Sequence, residues 1–468
     1  MRDDLLLNAA QIAIQYRQTV DEIPVVSTAT RAELAAQLDQ HLPETGEPPE
    51  AALRALVTGV ERGLVNSANP RYFGFVMGGS TPVSIAADWL TSAWNQNAQV
   101  YLTSPAAALV EEVVAGWLLD LLGLPGDAGV GFVTGTQMAH FTALSVARNA
   151  VLARHGWDID AEGLQGAPHI NVVCGECCHA TLHSAIRMMG LGTRNIRTVT
   201  ADDEGRMRTD AFRQALAECS GPTIVCLQAG NVNTGSFDPF AELIPIAREK
   251  GAWAHVDGAF GLWAAASPRD RWLTAGVESA DSWSTDAHKW LNVPYDSGMV
   301  IIRDANAHRA LKTARCAYAG TESAVDRDGS QWVPENSRRA RAFVLYAALR
   351  AFGRQGVAEI VEHCCDMARA FADRLASLPG AQVLNQVALN QVLCRFDPPV
   401  NADPSIFHTS VARRLQREGA CWIGATQWRG QTALRISVSN GATSLADVET
   451  AVGCVERAVA LERRAIGD

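Results

Sequence analysis

Apolar residues in this chain recur first with a helical period. Leu5, Ala9, Ile12, Ala13 and Tyr16 fall on one face of a helix with polar residues opposite. Pro-rich spacers follow at Leu42-Pro43 and Gly46-Glu47-Pro48-Pro49, and a second helix runs to about Asn66. Two more helical patterns lie between about residues 85 and 122, the second stopped by Gly123 and Pro125. The period then changes. Short β-rich runs at 131–134, 170–174, 196–200, 223–228, 253–256, 282–284 and 299–303 alternate with helical patterns such as 138–155 and 180–189. This alternation predicts an α/β fold with a doubly wound, mainly parallel sheet of about seven strands and ligands at the strands' carboxyl ends. Beyond about residue 340, helices at 340–353 and 357–378 and strands near 391–395 and 432–438 predict a small α+β domain. The expected division is an N-terminal helical segment (1–70), a large α/β domain (71–340) and a small C-terminal α+β domain (341–468). The apolar stripe of the first helix has no partner in so short a segment, so it is expected to bury against a second copy of the chain.

Composition narrows the function. The chain has 468 residues, 48% of them hydrophobic, which is ample for a packed core. A net charge of −10 argues against a nucleic-acid partner. The longest apolar stretch, 106–124, is broken by Glu111, Glu112 and Asp120, so no membrane association is expected. Eleven scattered cysteines and an acidic start, Met1-Arg2-Asp3-Asp4, point to a reducing cytoplasm. Only three lysines occur, Lys250, Lys289 and Lys312, so any lysine chemistry has three candidates.

Lys289 stands apart. It lies in Ser284-Thr285-Asp286-Ala287-His288-Lys289-Trp290, just after a short apolar strand, and a partly desolvated lysine can act as a carbonyl-reactive amine. Lys250 suits a helix C-terminus, where a cation complements the dipole, and Lys312 an ordinary helix. Thirty-two positions before Lys289, Asp257 ends the apolar run Trp253-Ala254-His255-Val256, where an unpaired carboxylate would be costly. Thr134-Gly135-Thr136-Gln137 falls between a strand and a helix and offers backbone N–H groups as an anion seat, without the Gly-Lys-Ser/Thr of a P-loop. Cys174, Cys177, Cys178, His179 and His183 crowd one segment, but their spacing matches no recognised zinc pattern, and no metal is expected.

At these residues the chain resembles the fold-type-I pyridoxal-phosphate enzymes, and within them the group II amino-acid decarboxylases, which include aromatic-amino-acid, glutamate, cysteine-sulfinate and diaminobutyrate decarboxylases. Asp286-Ala-His-Lys-Trp290 and His255-Val-Asp-Gly-Ala-Phe260 carry the resemblance, which runs from Asn69-Pro-Arg-Tyr-Phe-Gly-Phe75 to the Thr443 region. It implies pyridoxal 5′-phosphate as cofactor, bound covalently by Lys289. Asp257 would pair with the pyridine nitrogen, Ala259 would pack on one ring face and His179 on the other. His288 would lie near the phosphate and the reacting carbon, with Thr136, Gln137 and Ser297 on the phosphate. Arg435 would receive the substrate carboxylate, for which a guanidinium fork is suited. The implied enzyme is a cytoplasmic homodimeric carboxy-lyase that converts an L-amino acid to its amine. The alternatives are oxidative deamination to an aldehyde, transamination, or a non-catalytic partner-binding relative; the Lys289–Asp257–His179 set speaks against the last. The chain departs from the family in three places. Thr136-Gln137 stands where many relatives have Gly-Thr or Ala-Ser. His140 stands where Asn or Thr is usual, and 319–337, where relatives carry a tyrosine on a mobile loop, has none. Its titratable residues are Glu322, Asp326, Asp328 and Glu335, with Trp332 inside it and Tyr318 just before it. Tyr72, Phe73, Phe75 and Trp94 are candidates for an aromatic pocket or for ordinary core.

Overall fold

The computed structural model describes residues 2–38, 41–311 and 326–467. Lys312, Tyr318 and Glu322 lie outside them. The chain divides into two units, one of residues 1–77, 370–384 and 392–468, the other of 78–369 and 385–391.

The second unit is built on seven strands: β1 (Gly129–Val133), β2 (Asn171–Gly175), β3 (Ile196–Val199), β4 (Thr223–Gln228), β5 (Trp253–Asp257), β6 (Ser282–Asp286) and β7 (Gly298–Ile302). Their order is β1-β7-β6-β5-β4-β2-β3. Neighbours from β6 to β3 pair in parallel, whereas β7 runs antiparallel to both β6 and β1. That arrangement brings the carboxyl ends of β1, β2, β4, β5 and β6 to one edge, together with the start of β7. Every residue of β1, β5, β6 and β7 is buried, as strands covered on both faces require. Helix Thr136–Ala153 supplies part of the cover through Ala139, Ala143, Leu144, Val146, Ala147, Val151 and Leu152, packed with residues of helix Ala180–Met188. Each fully buried aliphatic side chain there contributes about 1.5–3 kcal/mol.

In the first unit, β8 (Ala381–Val383), β9 (Gln391–Phe396), β10 (Gly424–Trp428) and β11 (Gln431–Ser437) form a sheet in the order β10-β11-β9-β8. Helix Pro404–Glu418 starts where Asp403 accepts the N–H groups of Ser405 and Ile406, and stops at Gly419, whose φ is +73°. The two long helices expected after residue 340 are present within Ala342–Ala376, separated by a kink at Gly353, whose φ of +61° is not helical. Helix Arg2–Gln18 is not unpartnered in its own chain. Leu5, Ala9, Ile12, Ala13 and Tyr16 are half-buried, and Tyr16 donates to Asn66 Oδ1 at 3.3 Å. Leu6, Leu7 and Ile14, on the other side of this helix, are the exposed apolar residues.

Candidate active site

β6 ends at Asp286, and one helical turn, Ala287–Trp290, then carries His288 and Lys289. Gly78 passes so close to this turn that a Cβ on it would lie 1.7 Å from the Lys289 carbonyl oxygen. Lys289 Nζ lies 3.1 Å from Asp286 Oδ2, a nearly buried carboxylate that holds the amine at the strand end. His288 Nε2 is 3.6 Å from the same oxygen, and its Nδ1 accepts the Ser297 N–H at 3.1 Å. That bond sets the tautomer: Nδ1 carries the lone pair and Nε2 the proton. Burial pushes the His288 pKa down against the opposing pull of Asp286, so the ring is neutral at neutral pH. The ring of Tyr295 lies 4.3 Å from that of His288, centroid to centroid.

Asp257 closes β5 and is 5% exposed. Its Oδ1 accepts the Ala259 N–H at 3.1 Å. Its Oδ2 lies 3.3 Å from His140 Nε2, within ion-pair range but off the axis of a good hydrogen bond. Behind this contact runs a buried chain. His140 Nδ1 is 2.9 Å from His255 Nε2, and His255 Nδ1 is 2.9 Å from Ser282 Oγ. Ser282 Oγ in turn accepts the Trp253 indole N–H at 2.9 Å. The indole can only donate. With Ser282 giving its own proton to His255 Nδ1, His255 donates through Nε2 to His140 Nδ1, and His140 presents Nε2–H to Asp257. The opposite polarity would put a lone pair against the carboxylate. Burial, with His140 beside it, pushes His255 down to about 3, so it stays neutral. Burial alone would raise the Asp257 carboxyl; His140, His179 and Lys289 outweigh it and hold it well below the usual range. Asp257 is therefore a buried, permanently ionised acceptor.

The third part lies where β1 turns through Gly135 into helix Thr136–Ala153. A Cβ on Gly298, the first residue of β7, would come within 2.4 Å of Gly135 Cα, and one on Gly135 would lie 3.2 Å from His288 Cε1. The helix N-terminus, His288 and Ser297 therefore meet. Three side-chain atoms there, Thr136 Oγ1, Asp286 Oδ1 and Ser297 Oγ, are buried without a hydrogen-bond partner. Buried polar atoms are nearly always paired, so this cluster suits a polar group from outside the chain. Hydroxyls and free helix N–H groups fit a phosphate, Asp257 a ring N–H, and Lys289 an aldehyde. The residues fit pyridoxal phosphate.

The other expected site residues are placed as follows. His179 caps helix Ala180–Met188, its Nδ1 accepting the Thr181 N–H at 3.3 Å. Gln137 is exposed, with Nε2 4.0 Å from Met188 Sδ. Arg435 stands on β11 in the other unit, half-buried and without a carboxylate partner among the described residues. Tyr72 and Phe73 are core of that unit, against Trp422 and Phe371, whereas Phe75 and Trp94 are exposed.

Within the described part of 319–337, Trp332 lies at the opposite end of β1 from the site. Trp332 packs on His308 and would meet a Cβ on Gly129, at the amino end of β1, the far end from Gly135. His308 donates to the Trp332 carbonyl at 2.9 Å, and Asp328 accepts the Tyr101 N–H at 2.8 Å. Sequence reasoning missed the roles of Asp286, His255 and Ser282; the one signal was polar residues at alternate positions, His255 and Asp257 on β5 and Ser282, Ser284 and Asp286 on β6. It also dismissed a cluster that the fold assembles: ligand atoms of Cys174, Cys178 and His183 lie within 4.8 Å of one another.

A family model described as the pyridoxal-dependent decarboxylase conserved domain matches residues 32–396. The chain is 26% identical to the aromatic-L-amino-acid decarboxylase of Bacillus atrophaeus, over 93% of this chain and 91% of that one. It is 27% identical to the acidic amino acid decarboxylase of Mus musculus, over 85% and 75%. It is 28% identical to the 4-hydroxyphenylacetaldehyde synthase of Rhodiola rosea, over 78% and 75%. Among solved structures, Oryza sativa TDC with PLP and tryptamine superposes with a TM-score of 0.91 at 23% identity, covering 98% of this chain and 97% of that one. Mouse CSAD superposes at 0.90 and 24%, covering 97% and 98%. These two likenesses carry the fold.

Proposed function

The chain belongs to the pyridoxal-dependent decarboxylase family and is a pyridoxal-phosphate-dependent carboxy-lyase that converts an L-amino acid to its amine; from that premise we propose how its own residues divide the work. The observation that carries the reading is Lys289, held 3.1 Å from Asp286 on the same sheet edge as the buried, ionised Asp257. Lys289 is the covalent attachment point. Asp257 takes the ring N–H, backed by His140, and His179 and Ala259 pack on the two ring faces. Thr136, Gln137 and Ser297 hold the phosphate. When bound, pyridoxal phosphate supplies the electron sink that takes up the charge left by the departing carboxylate. Arg435, half-buried and without a carboxylate partner among the described residues, receives the substrate carboxylate. His288, neutral and protonated on Nε2, is the acid that returns a proton to the α-carbon. The chain acts as a homodimer in the cytoplasm, packed through the exposed Leu6, Leu7 and Ile14 of its first helix; no helix of the described residues is long and apolar enough to cross a membrane.

The test incubates holoenzyme with a panel of acidic and aromatic L-amino acids and measures carbon dioxide, amine, aldehyde and peroxide under air and under nitrogen. One amine per carbon dioxide is expected. Aldehyde with peroxide as the main products would overturn the assignment to amine formation. Lys289→Ala is expected to lose the covalently bound cofactor's visible absorbance and all turnover, while Lys250→Ala keeps both. Covalent cofactor persisting in Lys289→Ala would remove that lysine from the site.

A further inference from the structure

Behind the face that bears His179 lies a second group of ligating side chains that the decarboxylation does not use. Cys174 sits near the end of β2, Cys178 in the turn that follows, and His183 one turn into helix Ala180–Met188. Cys174 Sγ and Cys178 Sγ are 3.3 Å apart, and Cys178 Sγ is 3.1 Å from His183 Nε2. Cys226, on β4, is register partner to Cys174 on β2 and lines the same small cavity as Cys178. We propose that Cys174, Cys178 and His183 form a binding site for one soft divalent cation of the zinc type.

The geometry decides between this and the obvious alternative, a Cys174–Cys178 disulfide. Tetrahedral coordination with metal–sulfur bonds of about 2.3 Å and metal–nitrogen bonds of about 2.0 Å spaces ligand atoms roughly 3.5–3.8 Å apart. The Cys174–Cys178 and Cys178–His183 separations need to open by only about half an ångström to admit the ion, and the third pair already lies within 4.8 Å. A disulfide needs the sulfurs to close to about 2.05 Å, a larger movement in the opposite sense, and leaves His183 without a role. Two thiols and an imidazole are also the donor set that prefers zinc or cobalt over magnesium or calcium. The fourth position is open to water or to Cys226. On binding, both thiols give up their protons to solvent and no electron is transferred, so no oxidant is required. The ion would tie the end of β2 to helix Ala180–Met188 across the turn that carries His179.

The experiment uses holoenzyme stripped of metal by a chelator and titrated with Co²⁺, then with Zn²⁺. The expected result is one Co²⁺ per chain, with tetrahedral d–d bands to the red of the cofactor's absorption. Zn²⁺ should displace the Co²⁺, with release of up to two protons per ion at neutral pH. Cys178→Ser should abolish the bands, and His183→Ala should weaken binding at least tenfold, whereas Cys177→Ser, one position from Cys178, should bind as the unsubstituted chain does. Retained cofactor absorbance in each variant shows that it is folded. Absence of stoichiometric binding, or binding that survives both Cys178→Ser and His183→Ala, overturns the proposal. So does the loss of two titratable thiols to mild peroxide together with no metal uptake, which would assign the pair to a disulfide instead.

Discussion

Replacing His140 by leucine tests the electrostatics of the site most directly. The substitution is close in volume and removes the imidazole whose proton faces Asp257 Oδ2, at 3.3 Å. A hydrogen bond to a buried charged group is worth about 1.5–3 kcal/mol, and an off-axis contact belongs at the lower end. Losing about 1.4 kcal/mol makes the ionised carboxylate roughly tenfold harder to maintain, which raises the Asp257 pKa. The sign follows from linkage. A carboxyl depressed in the fold is ionised above the ordinary carboxylate range and loses that advantage as pH falls through its folded value. In His140→Leu this loss comes at a higher pH, so the acid limbs of cofactor retention and of kcat both move upward. kcat at neutral pH should fall severalfold with KM little changed: Asp257 stays ionised there, but without the His140 contact its carboxylate is no longer held in place for the ring N–H, while substrate contacts stay. The variant also leaves His255 Nε2–H unpaired, costing roughly 1–3 kcal/mol of stability. His140→Gln, which keeps a donor, separates the two effects by restoring part of kcat and of the acid limb. A His140→Leu enzyme with unchanged kcat and an unmoved acid limb would refute the reasoning.

Other consequences are independent of the cofactor. Glu111, 1% exposed, pairs with the buried guanidiniums of Arg327 and Arg338, so Glu111→Ala strands two charges and should lower stability by about 3–5 kcal/mol in denaturant titrations. A change below about 1 kcal/mol would show that water or another carboxylate reaches the pair. Burial pushes His308 down to about 3, so its neutral form stabilises the fold fully above the unfolded value of about 6.5 and less as pH falls toward 3. At pH 5 that loss is about 2 kcal/mol, and His308→Gln should show a correspondingly smaller drop in urea midpoint between pH 7.5 and pH 5. Leu6 and Leu7 are 70% and 60% exposed, so the Leu6→Asp, Leu7→Asp double variant should sediment as a monomer while keeping its helical circular dichroism; an unchanged dimer would place the interface elsewhere.

Most of the seven strands were legible along the chain as short apolar runs bounded by turns, because the burial of every residue in strands such as β1, β5 and β7 leaves few other residues possible. Asp257 stood out for the opposite reason, as a charge at the end of an apolar strand where solvation alone cannot account for it, and Lys289 as a lysine between His288 and Trp290 just past a strand end. The early break at Gly353 was visible as well, since glycine inside a helical pattern marks a place where φ can turn positive. What depends on distance between elements was not. His140, His255 and Ser282 come from a helix and two strands, and only strand order and register line them up as a proton-oriented chain behind Asp257. Asp286 shares a motif with Lys289, yet its hold on the amine appears only when the helical turn folds Nζ back on it. The ligand atoms of Cys174, Cys178 and His183 follow no metal spacing along the chain, because the turn after β2 rather than a single helix brings them together. Local pattern records what each residue must avoid, which is unpaired charge or exposed apolar surface. Which partner relieves that cost is a matter of tertiary distance, and it was decided by the crossing of elements far apart in the chain.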